Sequence, residues 1–439
     1  MKGGLYSWGR YPDCPQMAHR PAWPDELAGM LEKAGASKGS SLPYGNGRSY
    51  GDSCLADSGH VLAMTGLNRI VAVDWERGVL RAESGILLAD ILACALPRGW
   101  FLPVVPGTRF VTLGGAIAND VHGKNHHRRG TFGCHVTALG LLRNGEEVVC
   151  SPEREPELFA ATVGGLGLSG VILWAELRLM PVGSDRIEVL TQRFGSLSEF
   201  FALSAEYDER HEYAVAWVDC VARRGGVGRG VAFWGDHAAA GRARAGGAAR
   251  GASWEMPWTP PVSLVNRWSV AAFNLAYWHR HPAGRERSET GVEPFFFPLD
   301  GIGSWNRIYG RKGFQQFQCV VPEASAEMAV GAVLEEVGRS RAGSFLAVLK
   351  RCGGMRSPGW LSFPMQGTSL ALDFARNPEL EGLLGRLDRI VHEAGGRLYP
   401  AKDAHMSGAD FRAAYPGWEK LEALRDPGLM SRFWRRVLG

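Results

Sequence analysis

Apolar residues recur with two periods along this chain, and their interchange predicts a mixture of helices and strands. Leu27, Met30 and Leu31 share one face of a helix opening after Pro24, with Asp25 and Glu26 at its positive end. Residues 60–64, 70–73 and 79–82 read as strands and 87–96 as a helix, giving the first half an α+β character. Later, 213–218, 314–321, 344–349 and 370–374 read as strands and 380–392 has helical spacing. Gln316 and Gln318 alternate on one of these strands, so both face one side.

Two stretches break this pattern. Residues 43–52, Pro-Tyr-Gly-Asn-Gly-Arg-Ser-Tyr-Gly-Asp, form a glycine-dense loop. Residues 101–135 are rich in small side chains and polar backbone, cannot build a core by themselves, and are expected to wrap something. The character changes again near Gly183. Residues 223–252 are rich in Gly, Ala and Arg without a periodic apolar face. This segment reads as a mobile surface loop. The sharper alternative is a lid or a contact for an anionic lipid headgroup, using Arg223, Arg224, Arg229, Arg242, Arg244 and Arg250.

A chain of 439 residues is too long for one ordinary core and implies two or three units. The net charge of +4 is too mild to indicate nucleic acid. Eight cysteines without a CxxC pair fit reduced thiols in a cytoplasmic protein, and no apolar run resembles a signal peptide or a membrane span.

Among candidate motifs, Gly165-Leu166-Gly167-Leu168-Ser169-Gly170 fits GxGxxG, but helix-like residues precede it and strand-like residues follow. That order is the reverse of a dinucleotide-binding fingerprint. His122, His126 and His127 lack the intervening carboxylate of a zinc helix, so no metal is expected. The loop at 45–51 has a clearer use. Successive backbone N–H groups in glycine-permitted conformations cup an anion, and Arg48 and Ser49 add donors. A second glycine-rich block at 107–123 suits a long, phosphate-containing cofactor.

These segments resemble the flavin-binding domain of the vanillyl-alcohol oxidase superfamily. From Trp8-Gly9-Arg10 to Arg435-Arg436-Val437-Leu438 the chain is similar to the decaprenylphosphoryl-β-D-ribose 2′-oxidase family. The most specific pieces are Gly47-Arg48-Ser49-Tyr50-Gly51-Asp52, Pro106-Gly107-Thr108-Arg109, Gly114-Gly115-Ala116-Ile117-Ala118 and 122–127. Trp305-Asn306-Arg307 with Tyr309, Gly313-Phe314, and 395–399 with Ala401-Lys402-Asp403 add to them. The resemblance implies an FAD-binding domain at 1–185, completed by a tail at 397–439. A substrate domain at 186–396 would be built on an antiparallel sheet with flanking helices.

By the same resemblance the FAD pyrophosphate lies against Gly45, Asn46, Gly47, Arg48 and Ser49, with Tyr50 adjoining. The flavin ring is flanked by Gly115, Ala118, Asn119, His122, Gly123 and Asn125, with Ile172 and Tyr399 completing the pocket. Pro106, Gly107, Thr112, Gly114 and Val121 belong to the same wall. Many superfamily members tether the flavin through a histidine where Arg48 stands here, which implies noncovalent FAD.

The implied reaction is oxidation of a secondary 2′ hydroxyl of a pentose-type sugar, by hydride transfer to flavin N5, as the first half of an epimerisation. Lys402, Tyr50 and Gln318 are the expected catalytic residues, and His122, Tyr309, Gln316 and Lys350 the expected substrate contacts. A cation beside the reacting hydroxyl would stabilise the developing alkoxide, and a lysine of lowered pKa could also take the proton. The implied partners are a sugar or polyprenyl-phosphate glycolipid and an NAD(P)H-dependent short-chain reductase. A peripheral membrane contact of a cytoplasmic protein is compatible. Ala371 stands where the family carries a cysteine, which implies insensitivity to thiol-directed inhibitors. The alternatives are an oxygen-using oxidase of free sugars, alditols or aldonolactones, and a flavin-binding protein without turnover.

Overall fold

The computed structural model describes residues 4–222, 227–239, 254–340 and 342–439, without the side chains of 34–38. Two sheets organise the N-terminal part, beside an antiparallel pair of Trp100–Phe101 with Met180–Pro181. One is parallel, with His60–Ala63 between Met17–His19 and Leu42–Tyr44. The other is antiparallel and runs Ile70–Asp74, Val79–Glu83, Val171–Arg178, Val136–Arg143, Glu146–Cys150. The helix Glu26–Lys38 buries Leu27 completely, with Met30 and Leu31 packed beside it. The Glu26 carboxylate accepts the N–H groups of Ala22 and Trp23, turning the chain into the helix. Helices Leu88–Ala95 and Leu113–Ala118 bury Ile91, Leu113, Ala116 and Ile117 against the antiparallel sheet.

The larger sheet begins at Arg186. Its order is Glu286–Gly291, Arg186–Phe194, Gly230–His237, Tyr213–Val218, Ala347–Cys352, Gly367–Ala375, Phe314–Pro322, Arg397–Leu398, and each neighbouring pair is antiparallel. One face carries Phe317, Cys319, Val321, Leu349, Leu370, Leu372 and Phe374. It is covered by helices Leu197–Tyr207, Ala326–Arg339 and Leu380–Glu393. The period of two sends Gln316, Gln318, Val348, Lys350, Ser369 and Ala371 to the opposite, cavity-lining face.

From Tyr399 the chain returns to the N-terminal part. Leu429 bridges Ser41, Ser431 bridges Ala56, and Arg436 pairs with both Asp52 and Asp403.

Three expectations change. Within the segment read as a mobile surface loop, Gly230–His237 is instead a strand inside the larger sheet, with Val231, Ala232 and Trp234 buried. The strand predicted at 344–349 starts instead at Ala347. The Ser344 N–H donates to Cys220 Sγ, and its hydroxyl donates to the Leu346 carbonyl while accepting the Asp373 N–H. Those bonds, two of them to distant parts of the chain, take up the polar groups of Ser344 in place of the ladder. Of the arginines grouped at 223–252, Arg229 forms an ion pair with Asp219 at 2.8 Å and is not a free cation. Arg223, Arg224, Arg242, Arg244 and Arg250 lie outside the described residues. At 165–170 the helix Pro156–Thr162 precedes the glycines and the strand Val171–Arg178 follows.

Candidate active site

A cavity of about 940 Å³ lies between the two glycine stretches and the open face of the larger sheet. Its wall includes the six residues Gly45 to Tyr50, together with Pro106, Gly107, Thr112, Gly114 and Gly115. Ala118, Asn119, Val121, His122, Gly123, Ile172 and Tyr399 continue it. Gln316, Gln318, Lys350, Ala371 and Lys402 close the end under the sheet.

The first glycine loop is stitched on both sides. Trp8 and Gly9 N–H groups donate to the carbonyls of Ser49 and Tyr50, and Tyr50 N–H donates to Ala401 O at 3.0 Å. A Cβ on Gly45 would lie 2.4 Å from Thr112 Oγ1, and one on Gly51 would lie 1.6 Å from Asp403 O. Gly47 has φ +62°, a left-handed conformation that favours glycine. The Asn46 amide donates to Phe110 O at 2.8 Å, joining the two glycine stretches. Thr112 caps the helix Leu113–Ala118 by accepting the Gly115 N–H. The Arg48 guanidinium sits 4.0 Å from the Trp8 ring, and its buried Nε has no hydrogen-bond partner among the described residues. Close backbone approach, an orphaned buried donor and a cavity this long fit a phosphate-bearing cofactor.

Lys402 Nζ stands 3.6 Å from the centroid of the Tyr50 ring. Desolvation lowers its pKa from the ordinary lysine range, with Asp373 opposing the shift. Desolvation also raises the Tyr50 hydroxyl well above its ordinary value. The Gln318 amide contacts His122 Nε2 at 3.0 Å, and His122 lies against Phe363 and Tyr399. Desolvation pushes His122 well below the ordinary histidine range, reinforced by Lys350, so the ring is neutral. Lys350 donates to Gly123 O at 3.0 Å, and desolvation lowers it to about 8. The Tyr399 hydroxyl donates to Asn119 O at 2.8 Å.

Two expected contacts stand off this wall. Asn125 is 2% exposed, and its amide donates to Pro103 O and Glu212 Oε1. Those bonds fasten the 101–105 segment to the larger sheet and leave no donor for a ligand. Tyr309 lies one layer back, stacked on Phe314 at 4.2 Å, and Phe314 in turn meets Tyr50 edge-on. It supports Tyr50 from behind.

Sequence reasoning missed Lys124 and Asp373. Lys124 lines the cavity, donates to Phe295 O and is lowered to about 7 by desolvation. It lies inside the 122–127 motif, so its place beside Gly123 was a usable signal. Asp373 is fully buried, and its only clue was alternation with Ala371 on a strand.

A family model for an FAD binding domain matches residues 15–151. A decaprenylphosphoryl-beta-D-ribose oxidase of Mycolicibacterium smegmatis is 34% identical over 437 residues, covering 96% of this chain and 94% of that one. An L-gulonolactone oxidase of Bos taurus is 33% identical over 177 residues, 40% of each chain. A delta(24)-sterol reductase of Homo sapiens is 32% identical over 123 residues, 28% of this chain and 24% of that one.

Proposed function

This chain belongs to the decaprenylphosphoryl-β-D-ribose oxidase family, and from that premise we propose that it oxidises the 2′ hydroxyl of a pentose carried on a polyprenyl phosphate. It is an FAD-dependent oxidoreductase acting on CH–OH groups of sugar-like substrates. FAD, when bound, supplies the two-electron acceptor. The glycine cradle and Arg48 would hold its phosphates without a covalent link, since Arg48 offers no ring nitrogen for a tether. The tail from residue 397 would complete the FAD-binding part, with 186–396 forming the substrate domain.

The observation that carries the reading is the position of Lys402 over Tyr50, at the amide-lined end of the cavity. There Lys402 would stabilise the alkoxide formed as the alcohol is oxidised, or accept its proton. Gln316, Gln318 and neutral His122 would bind sugar hydroxyls, and Lys350 the far side of the ring. The keto product would pass to an NAD(P)H-dependent short-chain reductase. Adding such an enzyme to the reaction should invert the carbon, and unchanged configuration would remove this partner.

The match to L-gulonolactone oxidase favours a second reading, an oxygen-using oxidase of free sugars, alditols or lactones. Anaerobic flavin bleaching separates the readings. A prenyl-phosphate ribose should bleach the yellow protein, and acid precipitation should release its flavin into the supernatant. Bleaching by xylitol or a lactone alone, with peroxide formed on admitting air, would replace the first reading with the second. No bleaching by any alcohol would leave a flavin-binding protein without turnover.

A lipid-linked substrate needs access from a bilayer. No helix among the described residues is long and apolar enough to cross a membrane. Trp254, Trp258, Val262, Leu264, Trp268, Phe273 and Leu275 are nevertheless exposed within one short stretch. Glu255 is the one acid in residues 254–281, against Arg267 and Arg280. Tyr277, Arg280 and His281 from the same stretch line the cavity. Exposed tryptophan beside arginine suits an anionic membrane surface. The protein should therefore co-sediment with phosphatidylglycerol vesicles, and a Trp258→Ser, Trp268→Ser variant should stay in the supernatant. Equal sedimentation of both would refute this contact.

A further inference from the structure

We propose that Asp373 is a positioning residue for the reaction: it fixes which way the Gln316 amide points and sustains the positive charge of Lys402. The proposal rests on the reading of Lys402 as the group beside the reacting hydroxyl, and its deciding readout, the titration midpoint of Lys402, needs no substrate.

The strand Gly367–Ala375 sets Asp373 directly opposite Gln316 on Phe314–Pro322. Asp373 is two residues beyond Ala371 and four beyond Ser369, both on the cavity wall, so alternation points its side chain to that same face. It stops one layer short of the cavity, with no exposed surface. Gln316 Nε2 donates to Asp373 Oδ1 at 2.5 Å, while Oδ2 has no hydrogen-bond partner among the described residues.

An ionised carboxylate only accepts hydrogen bonds. The Gln316 NH2 must therefore face Asp373, and Gln316 also hydrogen-bonds the Tyr50 side chain, in the sense that lowers the pKa of the Tyr50 hydroxyl. Tyr50 is the ring on which Lys402 rests. The carboxylate thereby sets the donor and acceptor pattern of the cavity end without touching a ligand.

A buried carboxylate with an unpaired oxygen is costly, and hydrogen bonding to one amide does not remove the cost. Its compensation is electrostatic. The titratable groups facing Asp373 are Lys402, Tyr50 and Tyr309. Those facing Lys402 are Asp373, Tyr50 and His122, the last held neutral. Asp373 is thus the acidic group opposing the loss of the Lys402 proton. Desolvation raises the Asp373 carboxyl and lowers the Lys402 amine, so each depends on the other to remain charged.

Competitive trace acetylation with acetic anhydride, read by mass spectrometry across pH, gives the titration midpoint of Lys402 in the FAD-loaded protein. Asp373→Asn keeps the shape and removes the charge, so the midpoint should fall by about one pH unit or more. The alkaline limb of flavin reduction should move to lower pH with it. kcat should fall more than tenfold while KM changes little, and Asp373→Glu should return the midpoint toward its original pH. Gln316→Glu, which adds a negative charge beside Asp373, should raise the midpoint, giving a reading even if Asp373→Asn fails to fold. A Lys402 midpoint unmoved by these substitutions would overturn the proposal, whatever the substrate proves to be.

Discussion

Lys402→Ala should yield a protein that is still yellow but no longer bleached by substrate, with flavin reduction slowed roughly 10²- to 10⁴-fold. The expectation follows from where the amine sits. Its Nζ lies 3.6 Å from the Tyr50 ring centroid, facing a cavity end lined by Gln316 and Gln318. The other cavity lysines are engaged elsewhere, Lys350 with Gly123 O and Lys124 with Phe295 O. Neither can swing across without giving up that bond. FAD should remain because the glycine cradle and Arg48 are untouched. Stopped-flow flavin absorbance under nitrogen measures the effect, and reduction at the original rate would remove Lys402 from the chemistry. The pH dependence has a definite sign. Desolvation lowers the Lys402 pKa, so a role as cation predicts a rate that declines on raising pH at values where an exposed lysine would still be charged. A role as base predicts a rise over the same interval.

Gly51→Ala should prevent assembly of the FAD-loaded protein. The added Cβ would fall 1.6 Å from Asp403 O and 2.5 Å from Asp403 C, both backbone atoms that no rotamer change can move. Relief requires the tail to part from the glycine loop. That seam also carries the Tyr50 N–H bond to Ala401 O and the Arg436 pairs with Asp52 and Asp403. A loss of at least about 3 kcal/mol is expected, at or beyond the upper end of ordinary overpacking because the clash is backbone on backbone. Thermal unfolding and flavin content read it out. Gly29→Ala, where a Cβ meets nothing within 4 Å in an exposed helix, is the control and should lose nothing. A Gly51→Ala protein with normal melting and full flavin would show that the tail does not complete the FAD-binding part.

The elements with strong periodicity were legible before any coordinates. Leu27, Met30 and Leu31 marked their helix, and Gln316 with Gln318 their shared strand face, because one local period decides each. The glycine loops were legible for a similar reason. A left-handed φ at Gly47 or a backbone contact at Gly45 leaves a mark on residue type that no partner can hide. Ser344 shows where local reasoning fails. Its run of apolar neighbours reads as strand, but bonds to Cys220 and Asp373 take up its polar groups. Asn125 fails differently. It stands in the motif that flanks the ligand wall, yet its amide is consumed by Pro103 and Glu212, the second of them 87 residues away.

Residue order alone was enough to determine that this chain contains two anion-suited glycine loops, a strand with paired amides, and helices with one apolar face. Each follows from interactions between neighbours a few positions apart. Only tertiary structure decided that Lys402 meets Tyr50 across some 350 residues of chain, that Asp373 lies opposite Gln316, and that Tyr309 stands behind the wall. Those facts depend on strand register and on a returning tail, and both are set by burial summed over the whole molecule.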